Sequence, residues 1–172
     1  MGKRPASCYT RVDRPPYTRK KYIKGGPDPK IRSFDLGEPS KDFPIEISLL
    51  TDERCQISHN ALEAARIHVN RFLTRTLGRE NYHYRICVYP HHRIRENKMM
   101  TGAGADRIQN GMRKAFGKVI SVAARVYEGQ RLLFVRTDLE NVEVAKDALR
   151  RGKAKFPVPC RIKVTKGMEL LN

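Results

Sequence analysis

Between residues 91 and 118 the chain reads HHRIRENKMMTGAGADRIQNGMRKAFGK, and the chemistry of this stretch is that of fixed positive charge. Arg93, Arg95, Lys98, Arg107, Arg113, Lys114 and Lys118 are set among Gly102, Gly104, Gly111 and Gly117. Guanidinium and ammonium groups on a glycine-loosened backbone suit a polyanion, whose charge they neutralise while the backbone follows its shape. Catalytic readings find less support. Residues 101 to 106 lack both the G-x-G-x-x-G pattern and the Lys-Ser/Thr pair of phosphate-cradling nucleotide loops. Cys87, with His91 and His92 beyond Pro90, offers a thiol and two imidazoles. No third orienting group accompanies them, and no C-x-x-C pair supplies a zinc knuckle. The four cysteines, Cys8, Cys55, Cys87 and Cys160, are far apart, and three of them sit in apolar stretches where a thiol acts as a small core residue. No catalytic residue, metal or cofactor is expected.

A second cationic stretch opens the chain. The first 44 residues hold seven of the ten prolines, so they exclude a continuous helix or an interior strand and should form an extended arm. Along it Tyr9, Tyr17, Tyr22, Ile23, Ile31 and Phe34 alternate with Arg11, Arg14, Arg19, Lys20, Lys21, Lys24, Lys30 and Arg32. Cations interleaved with flat rings suit phosphate neutralisation combined with stacking on bases or riboses.

The charge balance supports this division. The 172 residues carry 35 Lys and Arg against 18 Asp and Glu, a net charge of +17. Residues 1 to 32 hold +8, residues 33 to 44 hold −2, residues 45 to 78 are neutral, residues 79 to 118 hold +6 and residues 119 to 172 hold +5. An evenly basic surface would not be so divided. No apolar run approaches the roughly 20 residues of a membrane helix, and no signal-peptide pattern is present, so a cytosolic address is expected.

The elements that must position these two stretches lie between and after them. Ile45, Ile47 and Leu49 alternate with polar residues as a strand, followed by a short return strand at residues 55 to 58. A helix should follow, with Asn60 as its cap and Glu63 completing a capping box, its apolar stripe running through Leu62, Ala65, Val69, Phe72 and Leu77 until Gly78 ends it. Residues 82 to 89 read as a strand with Tyr82, Tyr84, Ile86 and Val88 on one face. Residues 119 to 127 and 130 to 136 read as a hairpin around Glu128-Gly129. A second helix over about residues 140 to 154 ends before Pro157, and residues 158 to 165 form a last strand. The order implies an α+β fold, two main helices covering one face of a mostly antiparallel sheet. The globular body is then residues 45 to 172, with residues 91 to 118 inserted as a long irregular loop containing a short helix near Asp106.

Five segments together resemble a known family. They are the opening R-P-A-S-C-Y, the arm's G-P-D-P-K-I-R-S-F-D-L-G, the helix's A-L-E-A-A-R, the loop's N-K-M with G-A-G-A-D-R-I-Q-N-G-M-R-K-A-F-G-K, and the closing A-L-R-R-G-K-A-K-F-P. In that order they resemble the L-ten-e family of the archaeal and eukaryotic large ribosomal subunit, whose bacterial branch is called L-sixteen. The resemblance covers nearly the whole chain. It implies an α/β-hammerhead fold and a structural ribosomal protein without enzymatic activity. It also implies a place beside the peptidyl transferase centre, on large-subunit rRNA near the 5S rRNA and among other large-subunit proteins. The long loop would then point toward A-site and P-site tRNA.

Carried onto these residues, rRNA contacts are expected from Lys3, Arg4, Arg11, Arg14, Tyr17, Arg19, Lys20, Lys21, Lys24, Lys30 and Arg32 of the arm. Arg93, Arg95 and Lys98 at the loop's base are expected to anchor it on rRNA. The tRNA-proximal part of the loop would comprise Met99, Met100, Thr101, Gly102, Gly104, Arg107, Gln109, Arg113 and Lys114. A free RNA-binding or ribosome-assembly factor is the alternative that the residues themselves leave open.

Overall fold

The computed structural model describes residues 4–9, 11–100 and 102–171, so Lys3 and Thr101 lie outside the described residues, as does the side chain of Lys20. Eight strands form two antiparallel sheets. Sheet A runs β1 (Asp35–Gly37), β4 (Tyr82–Ile86), β7 (Arg131–Thr137), β2 (Ile45–Thr51), β8 (Cys160–Lys166) from edge to edge. Sheet B runs β3 (Cys55–Ser58), β6 (Lys118–Val126), β5 (His92–Glu96). Two long helices, α1 (His59–Leu77) and α3 (Val142–Lys153), pack on one face of sheet A, and a single turn, α2 (Ala105–Ile108), stands in the loop. The α+β class and the two-layer arrangement are as the element order implied.

The core follows from alternation. Ile45, Ile47 and Leu49 of β2, Leu133 and Val135 of β7, and Tyr82, Tyr84 and Ile86 of β4 are buried toward the helices. Leu62, Ala65, Val69 and Leu73 of α1 and Ala145, Ala148 and Leu149 of α3 meet them at helical spacing. The two helices approach closely at Gly152, where a Cβ would stand 2.8 Å from Val69 Cγ2. Tyr82 donates its hydroxyl to Asn70 Oδ1 at 2.8 Å and accepts from Thr74 Oγ1 at 2.8 Å, tying β4 to α1. The Tyr84 hydroxyl beside it is buried with no hydrogen-bond partner among the described residues, and burial raises its pKa far above the ordinary value.

Three expectations are corrected. The cap of α1 is Ser58 rather than Asn60: Ser58 is extended, with φ −67° and ψ 150°, and its hydroxyl accepts from the Ala61 N–H at 3.3 Å. Glu63 turns instead to Arg66, at 2.7 Å. Because β3 runs straight into the helix, the last strand residue is already in the cap position. β6 and β7 are consecutive but do not pair with each other. β6 pairs with β3 and β5, and β7 pairs with β2 and β4, so the turn at Glu128-Gly129 carries the chain from one sheet to the other. The stretch expected as an irregular loop begins with a strand, β5, on the edge of sheet B.

The proline-rich segment is partly woven into the body. Ile31 and Phe43 are buried, and β1 extends sheet A through Leu36 opposite Tyr84. Of the cysteines, Cys55 and Cys160 are buried while Cys8 and Cys87 are exposed, Cys87 lying on the outward side of its strand's extension. No helix among the described residues is long and apolar enough to cross a membrane.

Candidate nucleic-acid interface

Arm and loop meet on sheet B. The arm crosses the sheet through backbone groups: the Tyr17 N–H donates to His92 Nδ1 at 2.9 Å, and the Arg93 N–H donates to the Tyr17 carbonyl at 3.0 Å. Gln56 of β3 donates to the Arg11 carbonyl at 2.5 Å, Arg125 of β6 to the Arg14 carbonyl, and Arg93 Nη1 to the Pro27 carbonyl at 2.6 Å. These bonds engage the arm's main chain at Arg11, Arg14, Tyr17 and Pro27 and leave its cationic side chains outside. Arg4, Arg11, Arg14, Arg19, Lys21, Lys24, Lys30 and Arg32 are all exposed, and Tyr22 is 63% exposed.

His92 holds this seam as a neutral ring. Burial, then the charges of Arg125, His91 and Arg95, lower its pKa to about 4. With Nδ1 accepting, the neutral ring carries its proton on Nε2. His91 donates Nδ1 to the Tyr89 carbonyl at 3.0 Å. The two imidazoles near Cys87 are thus each engaged, and among the described residues no group of three or more His, Cys, Asp or Glu is placed to hold a metal ion.

The loop leaves sheet B from a clamped base. The Arg95 guanidinium lies 3.6 Å from the Phe116 ring centroid and 4.4 Å from that of Tyr17, and the two rings meet edge to face at 6.2 Å. Gly117 lets the returning chain pass β5, since a Cβ there would fall 2.3 Å from the Glu96 carbonyl carbon. Beyond this base Lys98, Met99, Met100, Gly102, Gly104, Arg107, Arg113 and Lys114 are exposed, while Gln109 reaches back to the Met100 carbonyl. The base residues behave differently from one another. Arg93 and Arg95 are half-buried and spent on the arm, whereas Lys98 is open. Tyr17, expected to stack on RNA, is half-buried against Arg95 and Phe116.

A third cationic surface escaped the sequence reading. The face of sheet A away from the helices carries Arg85, Arg131, Arg136, Arg161 and Lys163, which the register brings together from three strands. At its centre Glu46 is buried, with carboxylate oxygens 2.6 Å from Arg131 Nη1 and 2.8 Å from Arg136 Nε. Burial pushes this carboxyl up, but hydrogen bonds from Arg136 and Thr165 and the two guanidinium charges outweigh it, and its pKa lies below 4.5. The same two guanidinium groups lie 4.7 and 4.9 Å from the Phe134 ring centroid. The signal was present as Arg85 on the outward side of β4 and as Arg161 and Lys163 at alternate positions of β8, but adjacency depended on strand order.

Comparison with known proteins agrees with this picture of a basic scaffold. The family model described as Ribosomal protein L16p/L10e matches residues 12–163. The large ribosomal subunit protein uL16 of Hyperthermus butylicus is 53% identical over 169 residues, covering 95% of this chain and 94% of that protein. The protein of the same name from Methanocella arvoryzae is 47% identical over 172 residues, covering 100% of both chains. That of Staphylothermus marinus is 54% identical over 162 residues, covering 94% of this chain and 93% of its own.

Proposed function

Since the chain belongs to the ribosomal protein L16p/L10e family, we propose that it binds large-subunit rRNA near the peptidyl transferase centre and helps to place A-site and P-site tRNA. It is a structural protein of the large ribosomal subunit, with rRNA and other ribosomal proteins as its partners, and it is not an enzyme. The observation that carries the finer reading is the placement of two exposed cationic segments on one small sheet. The arm offers side-chain charge along a backbone tied to sheet B at several points, which suits recognition of RNA by shape and phosphate position. The loop leaves sheet B at the end of β5, with the side chains of Arg107, Arg113 and Lys114 exposed and in no ion pair among the described residues. A rigid base with a cationic, glycine-bearing tip can reach a second RNA while the arm holds the first. The boundary between arm and body that this reading needs is functional: residues 1 to 44 grip, and residues 45 to 172 position.

The test separates the two instruments. Replacing Arg107, Arg113 and Lys114 by Ala should leave incorporation into large subunits nearly intact and weaken tRNA binding. Normal tRNA affinity of such ribosomes would refute the loop's role. Replacing Arg11, Arg14, Arg19, Lys21 and Lys24 by Ala should block incorporation that survives a high-salt wash, without removing Ile31 from the core. A wild-type chain that leaves the subunit in that wash would instead be a free RNA-binding or assembly factor.

A further inference from the structure

A cleft of about 550 Å³ lies apart from the loop tip, where the arm, sheet B, the start of α1 and the segment after α3 converge. Four cations line it, Arg4 and Lys30 from the arm, Lys98 from the loop and Lys155 from the segment after α3. Its one carboxylate, Glu96, is taken by Arg4 at 2.7 Å. Lys30, Lys98 and Lys155 make no ion pair among the described residues, whereas Arg150 and Lys146, earlier on α3, pair with Asp147 and Glu143. The N-terminus of α1 opens onto the same space through Ser58, Asn60 and Ala61, with no acidic residue in its first turn to offset the positive end of the helix. Three unpaired ammonium groups around a concave site attract a phosphate.

The walls call for more than a phosphate. Tyr9, Pro27, Ile94, Ile120, Phe156 and Pro157 supply flat or apolar surface, and the volume is that of a site for a small organic ligand rather than an inorganic ion. A ring that stacks joined to a phosphodiester is a nucleotide. We propose that this cleft receives one unstacked nucleotide of the bound RNA, its base against Tyr9 and Phe156 and its phosphates among Lys30, Lys98 and Lys155. The inference rests on the reading of the chain as an rRNA-binding protein and adds a specific site to it. Single-stranded or bulged residues are the parts of an RNA that can be splayed into a protein in this way, stacked on aromatic side chains. The cleft also explains why Lys155 remains unpaired past the end of α3, and why Lys98 faces it rather than the loop tip alone.

The deciding experiment is a structure of large subunits carrying the full-length chain, at a resolution that shows bases. A base between Tyr9 and Phe156 is the expected result, and a cleft that is empty or filled by a neighbouring protein overturns the proposal. Affinity for naked large-subunit rRNA gives a second measure. Lys98→Ala with Lys155→Ala should cost about tenfold or more, against about twofold to threefold for Arg71→Ala with Arg75→Ala, an equal loss of charge on the far part of α1. Equal losses would count against the site. Titrating the isolated chain with 5′-AMP and 5′-UMP distinguishes a free nucleotide from one in RNA, and saturable binding of either with an empty cleft in the subunit also overturns the proposal. Retention of the wild-type chain on subunits through a high-salt wash reports on the parent reading, which stands even if the cleft proves empty.

Discussion

The Tyr17 N–H donates to His92 Nδ1 at 2.9 Å, so the arm is moored to sheet B by an imidazole that must be neutral. Protonating His92 converts that acceptor into a donor facing another donor. Its pKa in the fold, about 4, lies below the ordinary 6.5. The stabilisation is therefore full above pH 6.5 and is lost as pH falls toward 4, by about 1–2 kcal/mol once screening at a half-buried ring is allowed for. The protection of the arm's amides around Tyr17 against hydrogen exchange, taken relative to the intrinsic rate at each pH, should fall over that window, and His92→Ala should remove its pH dependence. A protection factor that stays constant with pH in the wild type would contradict the mooring.

Arg95 stacks on Phe116 and Tyr17, so loop and arm should loosen together. Arg95→Ala should cost about 1–2 kcal/mol and expose both the loop near Phe116 and the arm near Tyr17 to limited proteolysis. Arg95→Lys should rescue little, because a compact ammonium lacks the planar face that both rings meet. Cleavage confined to the loop would show that the two segments are uncoupled.

Glu46 neutralises the centre of the open face of sheet A. Glu46→Gln should lower stability by about 1–3 kcal/mol, less than a fully buried pair because both arginines reach solvent. With its pKa lowered below 4.5, the wild-type carboxylate stabilises the fold above that pH and ceases to do so as pH falls through its value in the fold. Denaturation curves of wild type and variant should converge in acid, and a constant gap down to low pH would refute the assignment.

Two neighbouring tyrosines should respond in opposite senses. Tyr82→Phe removes a hydroxyl that bonds both Asn70 and Thr74 and should cost about 1–2 kcal/mol. Tyr84→Phe removes a buried hydroxyl with no partner and should be neutral or stabilising by up to about 1 kcal/mol. Chemical denaturation midpoints of the two variants check both signs.

Much of the fold was legible because its main elements have clean periods. The apolar stripe of α1 and the alternation of Tyr82, Tyr84 and Ile86 were readable, and both proved to face one core. Pairing was not, since Val122, Ala124 and Val126 announce a strand without naming its partner, and β6 joined β3 and β5 instead of the strand next in sequence. β5 was hidden because His92, Arg93, Arg95 and Glu96 surround a single buried Ile94. One side of this strand is covered by the arm's backbone, which asks for hydrogen bonds and not for apolar side chains. For the same reason Arg93 and Arg95 read as anchors for an outside polyanion. Their charge was plain, but the arm's carbonyl at Pro27 and the rings of Tyr17 and Phe116 lie 20 to 80 residues away in sequence.

Sheet A has β2 at its interior, flanked by β7 and β8, and Ser48 of β2 bonds Thr165 of β8 across 117 residues. A chain emerging from its own synthesis thus presents Ile45, Ile47 and Leu49 long before either neighbouring strand exists. The arm is cationic throughout that interval, and the body that will moor it is not yet closed. The most vulnerable period for this protein is therefore its birth, when an unpaired apolar strand and an unanchored basic segment must be kept from the wrong partners until the last strand arrives.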